Sequence, residues 1–342
     1  MKRPTIADIA RRAGVTKSTV SFALNDRPGV SAATRDRILD IAREMGWRPS
    51  RVARALSGGR AGVLGLVVDR PARTLGIEPF FMQLISGIEG ELAARDVALL
   101  LQMAEDGQTQ VAAYRRWWAE RRVDGVFLVD LRVDDERIGL LAELGLPAIV
   151  IGGPDGLGGL PGVWNDEAEA VRSVVEYLAA LGHRRIARVA GPPELRHTTA
   201  RGAAFEAAAG ALGLTTTSVS TDYTGEEGAR VTRRLLAAPE PPTAIVYDND
   251  VMALAGLGVA GEMGVPVPGR LSIVAWDDSV LCRLVHPPLT AVGVDIASYG
   301  AEVARRLLDL VAGQPVESGR HAAPVLTPRG STGPAPRNAR NG

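Results

Sequence analysis

The chain has 342 residues, 39 basic and 39 acidic side chains, and a single cysteine, Cys282. This length allows one large core or two medium ones beside a small domain, and one cysteine excludes an internal disulfide or a thiolate metal cluster. No apolar run is long enough for a membrane span, and the first residues lack the pattern of a secretory signal. We therefore expect a cytoplasmic protein.

The basic side chains are concentrated at the N-terminal end. Residues 1–60 carry 13 Lys and Arg against 5 Asp and Glu, a balance of +8, and the remainder carries a balance of −8. A small basic end on a larger acidic body is typical of a polyanion-binding module. Charge by itself leaves a solvated basic surface as an equal alternative.

Three short helices are predicted within the first 46 residues. The first begins at Thr5, and Asp8 three positions later gives the spacing of a capping box. Thr16 is placed to cap the second helix, and Ser31 is placed to cap the third. Two short helices joined by a tight turn on a basic segment have the form of a helix-turn-helix unit.

The start of the second predicted helix carries residues suited to DNA. A helix-turn-helix unit places this end in the major groove, and Thr16, Lys17, Ser18 and Thr19 occupy it. Small hydroxyl side chains permit close approach and donate to phosphates, while Lys17 suits the acceptors of guanine. Phe22 is exposed by helical periodicity, and contact with thymine methyl groups or packing on a neighbouring helix both fit its position.

A linker follows the three helices. Residues 50–57 are weakly helical and end at Gly58-Gly59. Two turns of helix are marginally stable alone in water, so we expect this segment to fold only when a partner holds it.

From residue 62 onward, short apolar runs alternate with longer amphipathic stretches. Seven such runs lie at 63–68, 97–101, 126–129, 148–151, 186–190, 244–247 and 273–276. Continuous apolar runs predict strands buried on both faces, and their alternation with helices predicts right-handed βαβ units with parallel sheets. This number of strands favours two doubly wound lobes over a single sheet, and such folds bind ligands beyond the carboxyl ends of their strands.

The segment from Thr5 to Ser21 resembles the N-terminal signature of the LacI/GalR family of bacterial repressors. A match of this length is far more specific than a short motif, and it implies a sequence-specific DNA-binding transcription regulator. It adds Ser21 and Asn25 to the expected DNA contacts. The resemblance continues through Leu24-Asn25, Val30-Ser31, Thr34-Arg35, Ile38, Arg48-Pro49 and residues 53–56.

The resemblance also implies that residues 50–57 form a hinge helix, which pairs in the minor groove with that of a second subunit. Leu56 matches the leucine that wedges into the central base step and kinks the duplex, and an ordinary linker residue is the alternative. Arg51, Ala53 and Arg54 are expected along the same groove, where the small side chain at 53 permits close approach. Paired hinge helices imply a homodimer on a palindromic operator.

The resemblance extends to about residue 328 and implies a body like the periplasmic sugar-binding proteins, with an effector between two lobes. Arg201 offers a planar fork of donors for vicinal hydroxyls or a carboxylate, Asp277 accepts from hydroxyls, and Asn249 does both. For Phe80 and Phe81, burial in the hydrophobic core is the alternative to contact with the effector. The remaining expected effector contacts are the ring-stacking Phe80, Phe81 and Tyr223, and the polar His197.

One departure from the family pattern concerns the ligand. The family places a carboxylate directly after the strand that ends at Ile151, whereas this chain has Gly152 there. The ligand of the lactose or purine repressors is therefore not implied, and Asp155 is the alternative acceptor. We expect a sugar effector and a repressor, with a nucleoside or purine effector, or an activator, as alternatives.

Other classes of protein lack support in the sequence. The four histidines are scattered without a metal-binding pair, and neither a Gly-x-Ser-x-Gly elbow nor a P-loop is present. A solute-binding protein, the distant alternative, would need a secretion signal and would have no use for a helix-turn-helix unit. We expect no catalytic residue, no metal and no cofactor.

The predicted architecture is an all-α helix-turn-helix headpiece of three helices joined to a two-lobed α/β domain with parallel sheets. Its boundaries are a DNA-binding domain at 1–49, a hinge helix and linker at 50–61, an effector-binding and dimerisation domain at 62–330, and a disordered tail at 331–342. We expect the protein to be associated with the nucleoid when operator-bound and to have no contact with a membrane.

Overall fold

The computed structural model describes residues 4–47, 60–70, 78–104 and 106–336. It divides the chain into two compact units, Met1–Ala61 and Gly62–Gly342. The expected hinge residues Arg51, Ala53, Arg54 and Leu56 lie outside the described residues, so their roles stay predictions. No helix within the described ranges is long and apolar enough to cross a membrane.

The first unit contains three helices, α1 (Ile6–Ala13), α2 (Lys17–Leu24) and α3 (Ala32–Glu44). The Asp8 carboxylate accepts the backbone N–H of Thr5 at 3.0 Å, and the Thr16 hydroxyl accepts that of Thr19 at 3.1 Å. These caps satisfy N–H groups that have no partner inside a helix, as the sequence predicted.

A small core holds the three helices together. Ile9, Val20 and Ile38, one from each helix, are fully buried, and buried alanines fill the space between them. Each large apolar side chain contributes about 1.5–3 kcal/mol by leaving water. This core fixes α2 against α1 and α3, so that the opposite face of α2 is free to present polar side chains.

The second unit contains two lobes, each built on a six-stranded sheet. The first lobe has the strand order β11-β5-β4-β3-β1-β2 and is parallel throughout. Its strands are β1 (Val63–Asp69), β2 (Ala98–Ala104), β3 (Gly125–Leu128), β4 (Ala148–Ile151), β5 (Gly162–Trp164) and β11 (Gly319–Arg320). Its helices are α4 (Pro79–Ala93), α5 (Gly107–Ala119), α6 (Glu136–Leu144) and α12 (Ile296–Val311).

The second lobe repeats this plan in the order β12-β10-β9-β8-β6-β7, and β12 is antiparallel to β10. Its strands are β6 (Arg185–Ala190), β7 (Thr215–Ser220), β8 (Ala244–Tyr247), β9 (Ser272–Trp276), β10 (Thr290–Gly293) and β12 (Val325–Thr327). Its helices are α7 (Glu167–Ala180), α8 (Arg196–Ala211), α9 (Gly225–Leu236), α10 (Asp250–Glu262) and α11 (Val280–Leu284).

Helices cover both faces of each sheet. In the first lobe α4 and α12 share one apolar cluster with the sheet, and α5 and α6 share the other. In the second lobe α9 and α10 cover one face, and α7 and α8 cover the other. The seven predicted runs are β1–β4, β6, β8 and β9. Six of them are buried on both faces, which explains their apolar composition. β2 is the exception, because it lies at the edge of its sheet and exposes Leu101 and Met103.

The chain passes between the lobes three times, after β5, after β10 and between β11 and β12. The crossings are linked by hydrogen bonds. The Asp166 N–H donates to the carbonyl of Ala322 at 2.9 Å, and the His321 N–H donates to that of Trp164 at 2.7 Å. Neither lobe is therefore formed by a continuous stretch of chain.

The predicted disordered tail at 331–342 is wrong for residues 331–336. Ser331 is fully buried, where its hydroxyl donates to the carbonyl of Ile273 at 2.6 Å and accepts the N–H of Thr290 at 2.8 Å. The carbonyl of Gly333 lies 3.1 Å from Nε2 of the buried His183. Hydrogen bonds rather than apolar side chains hold this segment, which explains why its composition resembles disorder. Residues 337–342 lie outside the described part of the chain.

Candidate DNA-reading helix and effector cleft

The N-terminal end of α2 presents the side chains expected to contact DNA. Thr16, Lys17 and Ser18 are exposed, and Thr19 is half-buried. Lys17 has no acidic partner within 4 Å among the described residues, so its charge is available to a ligand. The start of α2 therefore presents one cation and several small hydroxyl side chains, at a position where the backbone N–H groups of the helix also attract anions.

Further along α2, the expected contacts differ in exposure. Ser21 is half-buried, and the exposed Asn25 donates through its amide to the carbonyl of Ser21 at 2.8 Å. Phe22 is 39% exposed, and its ring lies beside Gly29 in the loop before α3. Part of the ring therefore packs on the loop, while the exposed part is open to a partner.

A cleft of about 760 Å³ lies between the two lobes of the second unit. Side chains that follow the carboxyl ends of the strands line it, among them Arg70 after β1, Asp130 after β3 and Asp277 after β9. This is the edge at which doubly wound sheets bind ligands. The cleft brings together all seven expected effector contacts: Phe80, Phe81, His197, Arg201, Tyr223, Asn249 and Asp277.

Arg201 on α8 is buried and its guanidinium is occupied. Nε and Nη2 donate to the two carboxylate oxygens of Glu167 at 3.0 and 2.7 Å, and Nη1 donates to the carbonyl of Asp248 at 3.3 Å. The guanidinium also stacks 4.3 Å from the ring of Trp276. Arg201 was expected to bind the ligand directly, but it is paired with a carboxylate of the protein itself. This pairing with Glu167 was not predicted from the sequence.

Asp277 is the opposite case. It follows β9 in a left-handed conformation, with φ of +64°, and no hydrogen bond to its carboxylate is found among the described residues. Burial raises the pKa of Asp277 to about 8 against the opposing effect of Arg201. A carboxyl group that faces the cleft without a donor is suited to accept from the hydroxyls of a ligand.

Asn249 and Tyr223 form the adjoining wall. The Asn249 side chain caps α10 by accepting the N–H of Met252 at 2.8 Å, and its amide donates to the carbonyl of Tyr223 at 3.0 Å. Tyr223 is held in a left-handed conformation, with φ of +69°. Asn249 therefore orients the aromatic wall and retains one amide hydrogen for a ligand.

His197 lies against the same tyrosine. Its Nε2 is 2.8 Å from the Tyr223 hydroxyl, and the two rings are stacked with centroids 6.2 Å apart. Burial, assisted by the charge of Arg201, lowers the pKa of His197. The histidine is therefore a neutral hydrogen-bonding group at physiological pH rather than a cation.

The two phenylalanines lie in or against the core of the first lobe, and their contact with an effector stays a prediction. Phe81 is buried in the core of the first lobe and Phe80 packs against it, yet both contribute to the cleft wall. Their rings meet edge to face, with centroids 5.3 Å apart. Core packing therefore fixes the orientation of an aromatic surface that a ligand can contact.

A second arginine in the cleft was not predicted. Arg70 Nη2 lies 3.0 Å from Asp130 and Nε lies 3.5 Å from Glu78, while the guanidinium lies 5.5 and 5.6 Å from the ring centroids of Phe81 and Tyr223. Because Tyr223 belongs to the second lobe, Arg70 connects the two lobes. Burial raises the pKa of Glu78 to about 7, although Arg70 opposes this. Arg70 directly follows the apolar strand β1, and this position in the sequence could have indicated that it lines the cleft.

The loop after β4 carries no carboxylate at its first position. Gly152 lines the cleft at φ of +128°, and a Cβ placed there would meet no atom within 4 Å. Asp155 also lines the cleft, and its side chain is exposed to solvent. No group of three or more potential ligands for a metal ion is found among the described residues.

Comparison with known proteins identifies the family. The description "Bacterial regulatory proteins, lacI family" matches residues 5–50, and that of a periplasmic binding protein-like domain matches residues 175–332. The HTH-type transcriptional regulator AglR of Rhizobium meliloti (strain 1021) is 33% identical over 97% of this chain and 95% of its own length. The chain belongs to the LacI family. The resemblance read from the sequence is thereby confirmed.

Two solved structures of LacI-family regulators share the whole architecture. The transcriptional regulator CelR in complex with cellobiose is 31% identical with a TM-score of 0.72, covering 96% of this chain and 100% of that chain. The lac repressor dimer bound to operator and the anti-inducer ONPF is 27% identical with a TM-score of 0.84, covering 97% and 100%. The present chain is thus a LacI-family transcriptional regulator with a helix-turn-helix unit and a two-lobed periplasmic-binding-protein-like domain.

Proposed function

We propose that this LacI-family regulator is a cytoplasmic homodimeric repressor whose grip on a palindromic operator is controlled by a sugar bound between its lobes. The observation that carries the proposal is the cleft, in which both lobes contribute aromatic and polar side chains to one ligand-sized space. A ligand that contacts both lobes stabilises one angle between them over another, which is the basis of an allosteric response.

The chemistry of the cleft supports a sugar. Phe80, Phe81 and Tyr223 provide aromatic surface for the apolar face of a pyranose, and Asp277 provides an acceptor for its hydroxyls. The volume lies within the range of small-molecule sites. A related regulator, CelR, has been solved with cellobiose. The position of Gly152 leaves open space where a larger or differently shaped ligand group fits.

Exposed apolar side chains on both lobes support a dimer. β2 is an edge strand of the first sheet, with Leu101 and Met103 exposed, and Met82 on the neighbouring α4 is 53% exposed. On the second lobe, Leu284 of α11 is 75% exposed and Val280 is also exposed. Apolar groups at an open strand edge are unfavourable in water unless another chain covers them, and the lac repressor has been solved as a dimer.

The DNA-binding part of the proposal rests on α2. Its exposed Lys17 and hydroxyl residues lie at the helix start, on a unit with an excess of basic residues. We expect Lys17 to read a base and Thr16 and Thr19 to contact phosphates. Residues 51, 53, 54 and 56 complete this interface in the minor groove by their resemblance to the family.

The proposal is tested with the full-length chain in two steps. Selection from randomised DNA should enrich one palindromic sequence, and a thermal-shift screen of sugars and nucleosides should find a sugar that stabilises the fold. That sugar should change operator affinity about 5- to 150-fold, the usual range of allosteric coupling. No enrichment of any DNA sequence would contradict DNA reading, and stabilisation by nucleosides alone would contradict a sugar effector.

Variants separate the two sites. Arg201→Ala should abolish the response to the sugar while leaving operator affinity in its absence within about twofold, because the cleft and the DNA-reading helix are different surfaces. Arg230→Ala is the matched control, since Arg230 is exposed on α9 and pairs with Glu227 outside the cleft. An unchanged response of Arg201→Ala would contradict a role for Arg201 in the effector response.

A further inference from the structure

The cleft contains more acidic than basic side chains. Its lining includes seven acidic side chains and three guanidinium groups. The acidic side chains are Glu78, Asp130, Asp155, Asp166, Glu167, Asp248 and Asp277, and the guanidinium groups are those of Arg70, Arg196 and Arg201. Burial raises the pKa of Glu78 to about 7 and that of Asp277 to about 8, so the other five acids carry most of the negative charge at neutral pH. A ligand that carries a carboxylate or phosphate is repelled by this charge unless it pairs with one of the arginines.

Arg201 would be the natural partner for such an anion, because it lies between the lobes and presents a planar fork. Both outward N–H groups of this fork already donate to Glu167, at 3.0 and 2.7 Å, and the third nitrogen donates to the carbonyl of Asp248. Glu167 lies in the first turn of α7, where the helix N-terminus stabilises a negative charge. The pair is therefore strong and partly buried, and it takes the Nε–Nη2 fork of Arg201. One N–H group on Nη1 and one on Nη2 stay without a partner among the described residues.

Arg70 is occupied in a similar way. It lies close to the two carboxylates of Glu78 and Asp130, donates to the carbonyl of Asp69 at 2.8 Å, and is enclosed by two aromatic rings. The third cation, Arg196, donates through Nε to the carbonyl of Arg132 at 3.2 Å. Its guanidinium lies beside Gly156 and has no acidic partner within 4 Å among the described residues, so the charge of Arg196, unlike that of Arg70 and Arg201, is not offset by an ion pair.

We propose that Glu167 sets the charge selectivity of the cleft by occupying Arg201, so that the cleft binds uncharged saccharides more tightly than their carboxylate and phosphate derivatives. The inference rests on the proposed sugar-binding function and narrows its ligand class. Glu167 acts as a specificity-determining residue, because it decides what Arg201 is able to bind.

Charged and neutral ligands differ in what they displace. An anion that takes the Nε–Nη2 fork of Arg201 must separate it from Glu167 and leave that carboxylate without its partner in a partly enclosed site, which is unfavourable. An anion that approaches the remaining N–H groups meets a guanidinium whose charge Glu167 already offsets. A neutral hydroxyl makes no such demand, since it donates to a remaining lone pair of Glu167 or to Asp277 while the ion pair stays intact. The same pair that repels anions therefore offers acceptors to a polyol.

The experiment compares matched ligands on matched variants. The probes are glucose, glucuronate and glucose 6-phosphate, galactose and galacturonate, and cellobiose and cellobionate, measured by thermal shift and calorimetry on the full-length chain. Glu167→Gln removes the charge at constant volume. Glu169→Gln is the control, because Glu169 lies in the same helical turn but is exposed, pairs with Arg172 and lies outside the cleft.

We expect no anionic probe to bind the wild-type chain as tightly as its neutral congener. Glu167→Gln should bind at least one anionic probe tenfold or more tightly than the wild type does, and Glu169→Gln should behave as the wild type. Glu167→Asp, which keeps the charge, should still exclude the anions. If Glu167→Gln does not fold, the inference is tested by comparing anionic with neutral probes on the wild type and on Glu167→Asp.

The inference is overturned if an anionic probe binds the wild type as tightly as its neutral congener, or if Glu167→Gln leaves the affinity for every anion unchanged. These outcomes differ from a failure of the proposed function. A wild-type chain stabilised by nucleosides and by no sugar would contradict the sugar effector, whereas tenfold tighter binding of glucuronate by Glu167→Gln would still support the role of Glu167.

Discussion

Two glycines in α4 are expected to respond in opposite ways to the same substitution. At Gly87 an added Cβ would lie 1.9 Å from the backbone oxygen of Ala297 on α12, whereas at Gly90 it would meet no atom within 4 Å. Gly300 on α12 is similarly close to the carbonyl of Leu84. The first lobe therefore depends on a backbone-to-backbone approach between α4 and α12 that only glycine permits at these positions.

The magnitudes follow from these distances. Ordinary carbon–oxygen contact begins at about 3.4 Å, so Gly87→Ala requires the helices to separate by roughly 1.5 Å, and the obstacle is backbone that no rotamer change relieves. We expect a loss in the free energy of unfolding of about 3 kcal/mol, at the upper end for overpacking. Gly90→Ala should instead raise the free energy of unfolding by about 0.5–1 kcal/mol, because alanine is more favourable than glycine in the interior of an exposed helix.

Chemical denaturation of the full-length chain, followed by far-ultraviolet circular dichroism and tryptophan fluorescence, measures both variants. The two substitutions change the same atoms in the same helix, so their effects on the unfolded chain are alike and the difference, about 4 kcal/mol, reports packing. A loss below about 1 kcal/mol for Gly87→Ala would refute the close approach of the helices, and a loss for Gly90→Ala would refute its open surroundings.

Three further predictions concern the sites. Arg188→Ala should cost about 3–5 kcal/mol in urea denaturation, because it leaves Asp248 buried without the partner that donates to both of its oxygens. The pKa of Asp277 is about 8 in the folded chain, so between pH 4 and pH 8 the unfolded chain loses this proton while the folded chain keeps it. The wild type therefore loses stability as the pH rises over this range. Asp277→Asn has no such loss, so its stability relative to the wild type should grow from pH 4 to pH 8. Lys17→Ala should alter base preference in operator selection.

Each of these has an outcome that contradicts it. The double variant Arg188→Met with Asp248→Asn should recover part of the lost stability, and no recovery would mean that the cost is not one of unpaired charge. A stability difference for Asp277→Asn that is constant from pH 4 to pH 8 would exclude the raised pKa. A uniform loss of affinity across operator variants for Lys17→Ala would assign this residue to phosphate contact.

The sequence predicted those parts of the fold in which local signals and tertiary structure agree. The capping residues Thr16 and Ser31 begin α2 and α3 as expected, and the buried parallel strands are apolar throughout. β7 was missed because its residues, Thr215–Ser220, are polar and mostly exposed at the edge of the sheet. β10 has the same length as β3, but Thr290 and Gly293 leave it only two apolar residues. β12 has three residues, and its antiparallel pairing has no signal in its own sequence.

The site was less predictable than the fold. Arg201 and Asp277 were found through resemblance to the family, but resemblance does not show which carboxylate an arginine pairs with. Glu167 at the start of α7 has the appearance of an ordinary acid that favours a helix N-terminus. Its contact with Arg201, 34 positions away, exists because α7 and α8 pack side by side in the second lobe, and neither helix carries a local pattern that shows which residues of the other it meets.

The three crossings between the lobes have a consequence for synthesis. α12 and β11 complete the first lobe but follow the whole parallel core of the second. On the ribosome, the α4 face of the first sheet is only partly covered until residues 296–311 emerge, when most of the chain has been made. Only the small N-terminal unit has its entire core available early, so the nascent body is expected to need protection from aggregation by chaperones.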